Sequence, residues 1–231
     1  MKSRKIRISP SMMCGDFLNL GDELDLFKAY GVDYLHIDIM DGHYVPNLTL
    51  GIDFARSLYD YSGIPLDFHL MVENPDRYLT IFSSVKGSLI TIHPETSWHP
   101  DRTLRSIRDL GCIPGIAIDP AVPVEQFRHL YPLADQLLVM TVNPGYAGQP
   151  VVPYAMEKIR ELRQFVSGKM PEKDIEVDGN VSWSNIPGMI RAGANVLVTG
   201  SSSLFDKGMK RKEALDKLFE MIQPGISHEQ A

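Results

Sequence analysis

Three short segments of this sequence set imidazoles beside carboxylates in an arrangement suited to holding a divalent cation. In Tyr34-Leu35-His36-Ile37-Asp38-Ile39-Met40, a period of two sends Leu35, Ile37 and Ile39 to one side and His36, Asp38 and Met40 to the other. The same alternation puts Asp67, His69 and Met71 together in Leu66-Asp67-Phe68-His69-Leu70-Met71, and Glu176 with Asp178 in Ile175-Glu176-Val177-Asp178. Inward-facing charge must be compensated, because an unpaired buried charge costs several kcal/mol even after relaxation. Two histidines and two aspartates near the ends of these three strands would suit Zn²⁺, Fe²⁺, Mn²⁺ or Co²⁺. Taken singly, each has a plainer reading, an inward His as a hydrogen-bonded core residue and an Asp after a strand as a cap. Their coincidence at the ends of three strands favours the cation.

A second set of residues suits phosphate. Asn143-Pro144-Gly145-Tyr146-Ala147-Gly148-Gln149, Gly179-Asn180 and Gly200-Ser201-Ser202 each follow a candidate strand. Glycine lets backbone N–H groups approach an anion, and a helix beginning just beyond would add its positive end. Any one of these loops could equally be a turn; three at successive strand ends favour an anion site. Met40, Met71 and Met140 close three strands, and such polarizable side chains could cover a reactive intermediate or simply fill core. His43, His99, His129 and His228 fall in loops, helices or the tail and receive no role.

These residues need a scaffold that gathers strand ends. Eight candidate strands run over Ile6–Ser11, Tyr34–Met40, Pro65–Met71, Leu89–His93, Ile113–Ile118, Gln136–Val142, Asp174–Asp178 and Val196–Thr199. Helix-like spacing lies between them, as in Leu20, Leu24, Phe27 and Lys28, or Met156, Ile159, Leu162 and Phe165. Alternating strand and helix implies a parallel sheet. Gly31, Gly87, Gly111 and Gly193 stand where a helix would end and a strand begin, a place for the left-handed conformation. With no linker in the chain, this favours one (β/α)₈ barrel over residues 1–231, with an open doubly wound sheet as the alternative. No Gly-x-Gly-x-x-Gly follows the first strand, which argues against a dinucleotide fold. In a barrel all strand ends open on one face, where the active site is expected.

Composition excludes several other classes. With 231 residues, 44% hydrophobic and 23% charged, the chain reads as an ordinary globular protein. A net charge of −6 and short basic clusters (Lys2 to Arg7, Lys207 to Lys212) leave no phosphate-tracking stripe, so nucleic acid is not an expected partner. No apolar run approaches the ~18 residues that span a bilayer, and a cytoplasmic location without membrane contact is expected. Cys14 and Cys112, the two cysteines, read as reduced thiols.

Certain motifs resemble a known family: Ser9-Pro10-Ser11, the run from His36 to Asn47, Asp67-Phe68-His69-Leu70-Met71-Val72, Val139 to Gly145, and Glu176-Val177-Asp178-Gly179. They are similar to the ribulose-phosphate 3-epimerases, a resemblance covering about Ile8 to Phe205. It implies a ribulose-phosphate-binding type of barrel, one divalent metal ion on His36, Asp38, His69 and Asp178, and Asp38 with Asp178 as the acid/base pair. It also implies sugar contacts from Ser11, His69 and Asp178, and a phosphate held by Gly145, Tyr146, Ala147, Gly148, Gly179, Asn180, Gly200, Ser201 and Ser202. The expected partner is a phosphorylated ketose, and a homo-oligomer is expected.

Within that family, His93-Pro94-Glu95-Thr96 and Gly145 to Pro150 resemble the D-allulose-6-phosphate 3-epimerase branch, with Ala147 and Asn180 where pentulose enzymes usually have Gly. D-allulose 6-phosphate is therefore the expected substrate, with D-ribulose 5-phosphate as the alternative. A barrel decarboxylase or Schiff-base aldolase would want a Lys near the strand ends, and candidate strands two, three, six and seven contain none. A non-catalytic phosphosugar-binding barrel would be expected to lack one aspartate, and both are present.

Overall fold

The computed structural model describes residues 5–222; Lys2 of the N-terminal basic cluster and His228 lie outside the described residues. Eight strands appear where alternation places them: β1 (Arg7–Pro10), β2 (Leu35–Met40), β3 (Leu66–Met71), β4 (Leu89–Ile92), β5 (Ile113–Ile118), β6 (Gln136–Met140), β7 (Asp174–Asp178) and β8 (Val196–Thr199). All neighbours pair in parallel, in the order β1-β8-β7-β6-β5-β4-β3-β2. The Tyr34 N–H donates to the Ile8 carbonyl at 3.2 Å and Ser11 bridges His36, which joins the first strand to the second and closes the barrel. The open-sheet alternative is thereby set aside.

Helices α1 (Leu20–Tyr30), α2 (Ile52–Ser62), α3 (Leu79–Phe82), α4 (Pro100–Asp109), α5 (Ala155–Ser167), α6 (Ile186–Ala192) and α7 (Arg211–Ile222) surround it. Their apolar stripes, such as Leu24 and Phe27 of α1 or Ile159, Leu162 and Val166 of α5, are buried against the outward-facing Leu35, Ile37, Leu137 and Ile175. Gly31, Gly87, Gly111 and Gly193 all take positive φ (67°, 78°, 79° and 117°), as the turn from helix to strand requires.

Two details depart from the simple repeat. Between β5 and β6 the described chain makes two short 3₁₀ turns, Val124–Phe127 and Tyr131–Leu133, instead of an α-helix. Pro120, Pro123 and Pro132 explain this, since each removes a backbone donor and clashes with a continuing helix. After β8, Gly200 to Phe205 form a turn and α7 starts only at Arg211, so no helix opens directly behind Gly200 to Ser202 as the sequence suggested.

Register does the work of positioning. Paired residues of parallel strands project to the same side, and β2 pairs with β3 as His36 with Asp67, Asp38 with His69 and Met40 with Met71. On the far side of the mouth, Met140 pairs with Asp178.

Candidate active site and metal centre

The four candidate ligands converge. His36 Nε2 lies 3.3 Å from Asp38 Oδ1 and 4.0 Å from Asp178 Oδ2, while His69 Nδ1 lies 3.4 Å and 3.6 Å from the same two oxygens. One ligand atom from each residue falls within 4.8 Å of all the others. His36 Nε2 and His69 Nδ1 are buried and make no hydrogen bond, although their rings are fully enclosed. Burying a ring nitrogen without a hydrogen-bond partner is costly. Two such nitrogens aimed between two carboxylates fit a divalent cation, which would take all four donors at once.

Electrostatics prepare the pair unequally. Burial opposes a charge on Asp38, yet His36 and His69 hold its carboxyl well below the usual carboxylate range. Burial also opposes a charged His36, but Asp38 and Asp67 override it and raise its pKa well above the ordinary value. The Ser11 hydroxyl donates to Asp38 Oδ2 at 2.9 Å, leaving Oδ1 for the centre of the site. Asp178 is the more open acid, its side chain 19% exposed against 5% for Asp38.

Beneath this layer lies a network that the sequence pointed to without resolving. His36 Nδ1 donates to Asp67 Oδ2 at 2.8 Å, and Ser9 donates to the same oxygen at 3.0 Å. Gln136 Nε2 donates to Asp67 Oδ1 at 3.3 Å and to Glu176. Burial first, then the charge of Asp67, pushes Glu176 well above the usual range, which favours its neutral form. Asp67 and Glu176 had the right alternation to be found; Gln136 and Ser9 carried no charge to draw attention.

Beside His69 stands a group that the sequence reading left unassigned. His93 Nε2 is 2.8 Å from His69 Nε2, and His93 Nδ1 faces the Tyr44 hydroxyl at 3.0 Å and Asp119 Oδ1 at 2.9 Å. Tyr44 in turn lies 2.9 Å from Glu95 Oε1 and 3.0 Å from Asp119 Oδ2. Burial would lower the His93 pKa, but hydrogen bonds to Asp119 and Glu95 push it up to about 9. The loop carrying Asp119 is held by Lys158 of α5, whose Nζ donates to the carbonyls of Asp119, Pro120 and Val122.

The expected substrate residues other than His69, which is fully buried and does not line it, surround one open pocket of about 590 Å³, with Ser11, Asp38, Asp178 and the buried Met40, Met71 and Met140 at its floor. Its rim carries Gly145, Tyr146, Ala147 and Gly148, then Gly179 and Asn180, then Gly200, Ser201 and Ser202. Gly179 (φ 106°) and Asn180 (φ 45°) take left-handed backbone, which turns the chain sharply after Asp178. The Asn180 side chain donates to the Gln149 carbonyl at 2.7 Å, tying the second rim loop to the first. Cys14, a free thiol, also lines the pocket, and burial raises its pKa.

Residues 7–205 match the model of a family described as the ribulose-phosphate 3 epimerase family. The ribulose-phosphate 3-epimerase of Escherichia coli strain K12 is 40% identical over 224 residues, covering 96% of this chain and 98% of that protein. The protein of the same name from Bacillus subtilis strain 168 is 39% identical over 199 residues, 85% of this chain and 91% of its own length. Among solved structures, 3-hexulose-6-phosphate synthase superposes with a TM-score of 0.66 at 13% identity, covering 95% of this chain and 100% of that one, which supports the barrel fold alone. Among the described residues no helix is long and apolar enough to cross a membrane.

Proposed function

Since this chain belongs to the ribulose-phosphate 3-epimerase family, we propose that it inverts C3 of a ketose phosphate, with D-ribulose 5-phosphate as its substrate. The observation that carries this reading is the approach of Asp38 and Asp178, from separate strands, to the same nitrogen of His69. The hexulose preference expected from Ala147 and Asn180 is not supported by the relatives, both named for ribulose phosphate, and stands as the second reading. Rim glycines and the Asn180 tie are compatible with either sugar's phosphate.

Chemistry follows from the two acids. A proton on a carbon beside a ketone is acidic because its removal leaves an enediolate stabilised by the adjacent oxygen. Inversion needs one group to take that proton from one face and another to return a proton to the opposite face. Asp38 and Asp178, which approach the same His69 nitrogen from separate strands, are placed to act as this pair, one accepting the proton and the other returning one. A divalent cation held by His36, Asp38, His69 and Asp178 would supply Lewis-acid stabilisation of negative charge on the substrate oxygens. Met40, Met71 and Met140 give the floor no strong donor that could protonate the wrong atom. The phosphate, gripped at the rim, holds C3 in register.

The test is incubation of metal-loaded protein in D₂O with D-ribulose 5-phosphate and, separately, D-fructose 6-phosphate, followed by NMR at C3. Deuterium entering the pentulose is expected; entry into the hexulose alone supports the second reading. No exchange in either sugar by folded, metal-bound protein refutes the enzymatic reading. Asp178→Asn is expected to lose roughly 10² to 10⁴ in turnover with the fold retained.

A further inference from the structure

His36 and His69 solve one problem in different ways. Each must present a lone pair to the centre, so each must carry its proton on the other nitrogen. For His36 the partner decides the matter, because Asp67 Oδ2 at 2.8 Å is a carboxylate and only accepts. For His69 the partner is another imidazole, His93, and two ring nitrogens 2.8 Å apart share one proton that either could own.

The direction is fixed one step further out. His93 Nδ1 is surrounded by oxygens, Asp119 Oδ1 at 2.9 Å, the Tyr44 hydroxyl at 3.0 Å and Glu95 Oε1 at 3.4 Å. Tyr44 places its own proton on Glu95 or Asp119, 2.9 Å and 3.0 Å away, so toward His93 it too is an acceptor. A proton therefore belongs on His93 Nδ1. The raised pKa of His93 belongs to the cation-free site; a cation on His69 Nδ1 opposes a second positive charge beside it and displaces a proton, so that the single proton left between the rings sits on His69 Nε2 and His93 Nε2 accepts it.

Resting on the metal-site reading above, we propose that His93, backed by Tyr44, Glu95 and Asp119, is a positioning residue that holds His69 in the tautomer and orientation needed to bind the cation. The same three groups, with His93, could look like a second cation site. The Tyr44 hydroxyl fills its centre, which assigns the cluster to the relay. His93 touches neither the pocket lining nor the candidate ligand oxygens of Asp38 and Asp178 in the contacts described, and it acts through His69.

The test uses Co²⁺ alone as probe, with dissociation constants from chelator competition, the visible absorption of bound Co²⁺, and ¹⁵N NMR of the histidines in Zn²⁺-loaded protein. His93→Leu removes the acceptor and is expected to weaken Co²⁺ binding by roughly 10- to 100-fold. His93→Gln, whose amide oxygen can accept from His69, is expected to recover most of that loss. Tyr44→Phe, a milder change that guards against misfolding of the leucine variant, is expected to weaken binding about 3- to 10-fold. In wild type, His69 should show a proton on Nε2 and none on Nδ1.

Co²⁺ affinity in folded His93→Leu equal to wild type, or a Zn²⁺-loaded His69 protonated at Nδ1, overturns the relay. Wild type that binds no Co²⁺, or binds it undiminished after His36→Ala, overturns the underlying metal site and the relay with it. The two failures are distinguishable, because only the first leaves a wild-type site sensitive to His36.

Discussion

Replacing Gly179 with alanine tests whether the turn after β7 is what presents Asp178. Its φ of 106° is a conformation that residues with a Cβ rarely adopt, costing about 1–3 kcal/mol. An added Cβ would also meet Val142 Cγ2 at 2.5 Å, Cγ1 at 3.0 Å and the Val142 nitrogen at 3.0 Å. Val142 is itself buried, so it has little room to yield, and overpacking of this kind costs about 1–3 kcal/mol more. Gly179→Ala should therefore destabilise by about 2–6 kcal/mol, read by urea unfolding with excess chelator so that metal linkage does not contribute. Where it folds, a shift of the Asp178 carboxylate by an ångström should cost on the order of 10² in kcat/KM. Adding Val142→Ala relieves the side-chain clash and leaves the backbone strain. The double-mutant cycle should thus return a favourable coupling of about 1–3 kcal/mol. A destabilisation below about 1 kcal/mol, or a coupling near zero, would refute the steric account of this glycine.

Asp41 accepts from the N–H groups of His43, Tyr44 and Glu73 at 2.9, 3.0 and 2.8 Å, so Asp41→Ala should lose about 1–3 kcal/mol. Despite some burial, those bonds hold its carboxyl below the ordinary 3.8, so its contribution is present above that value and lost as pH falls through the depressed one; wild-type and Asp41→Ala unfolding curves should converge in acid. Asn180→Ala breaks the 2.7 Å tie to the Gln149 carbonyl, and steady-state kinetics should show KM raised several-fold with kcat nearly kept. Chelation should lower the unfolding midpoint, and metal restored at 100 times its dissociation constant should add back about 2.7 kcal/mol, an increment absent from His69→Ala.

Much of this arrangement was legible because strands impose a period of two. Alternation alone set His36 beside Asp38, and a shared barrel mouth brought in His69 and Asp178. The same rule applied to Leu89-Ile90-Thr91-Ile92-His93 turns Thr91 and His93 inward, so the signal for His93 was present, though it lies just past the end of β4. Asp119 carried it too, continuing the inward Gly115 and Ala117 one residue past β5, whereas Tyr44 had no such signal. They sit in loops after β2 and β5, and only the folded chain brings them within 3.0 Å. Prolines in the β5–β6 connection were visible in the sequence, yet the regularity of the repeat masked their consequence. Asn180 illustrates a different gap: its place beside Gly179 suggested a ligand contact, but no sequence pattern pointed to the bond from its side chain to the Gln149 carbonyl.

The depth of the polar network follows from the charge that the mouth must hold. A cation there would be balanced by Asp38 and Asp178, which leaves Asp67 as a fully buried carboxylate one layer below. Asp67 is tolerable because its lone pairs are filled by His36, Ser9 and Gln136, and because burial biases the adjacent Glu176 toward its neutral form. An apolar residue at 67 would pack the barrel more cheaply, but His36 would then have nothing to hold its Nδ1 proton and no fixed lone pair at Nε2. The barrel interior thus gives up some hydrophobic packing below the site so that the nitrogens above it point one way.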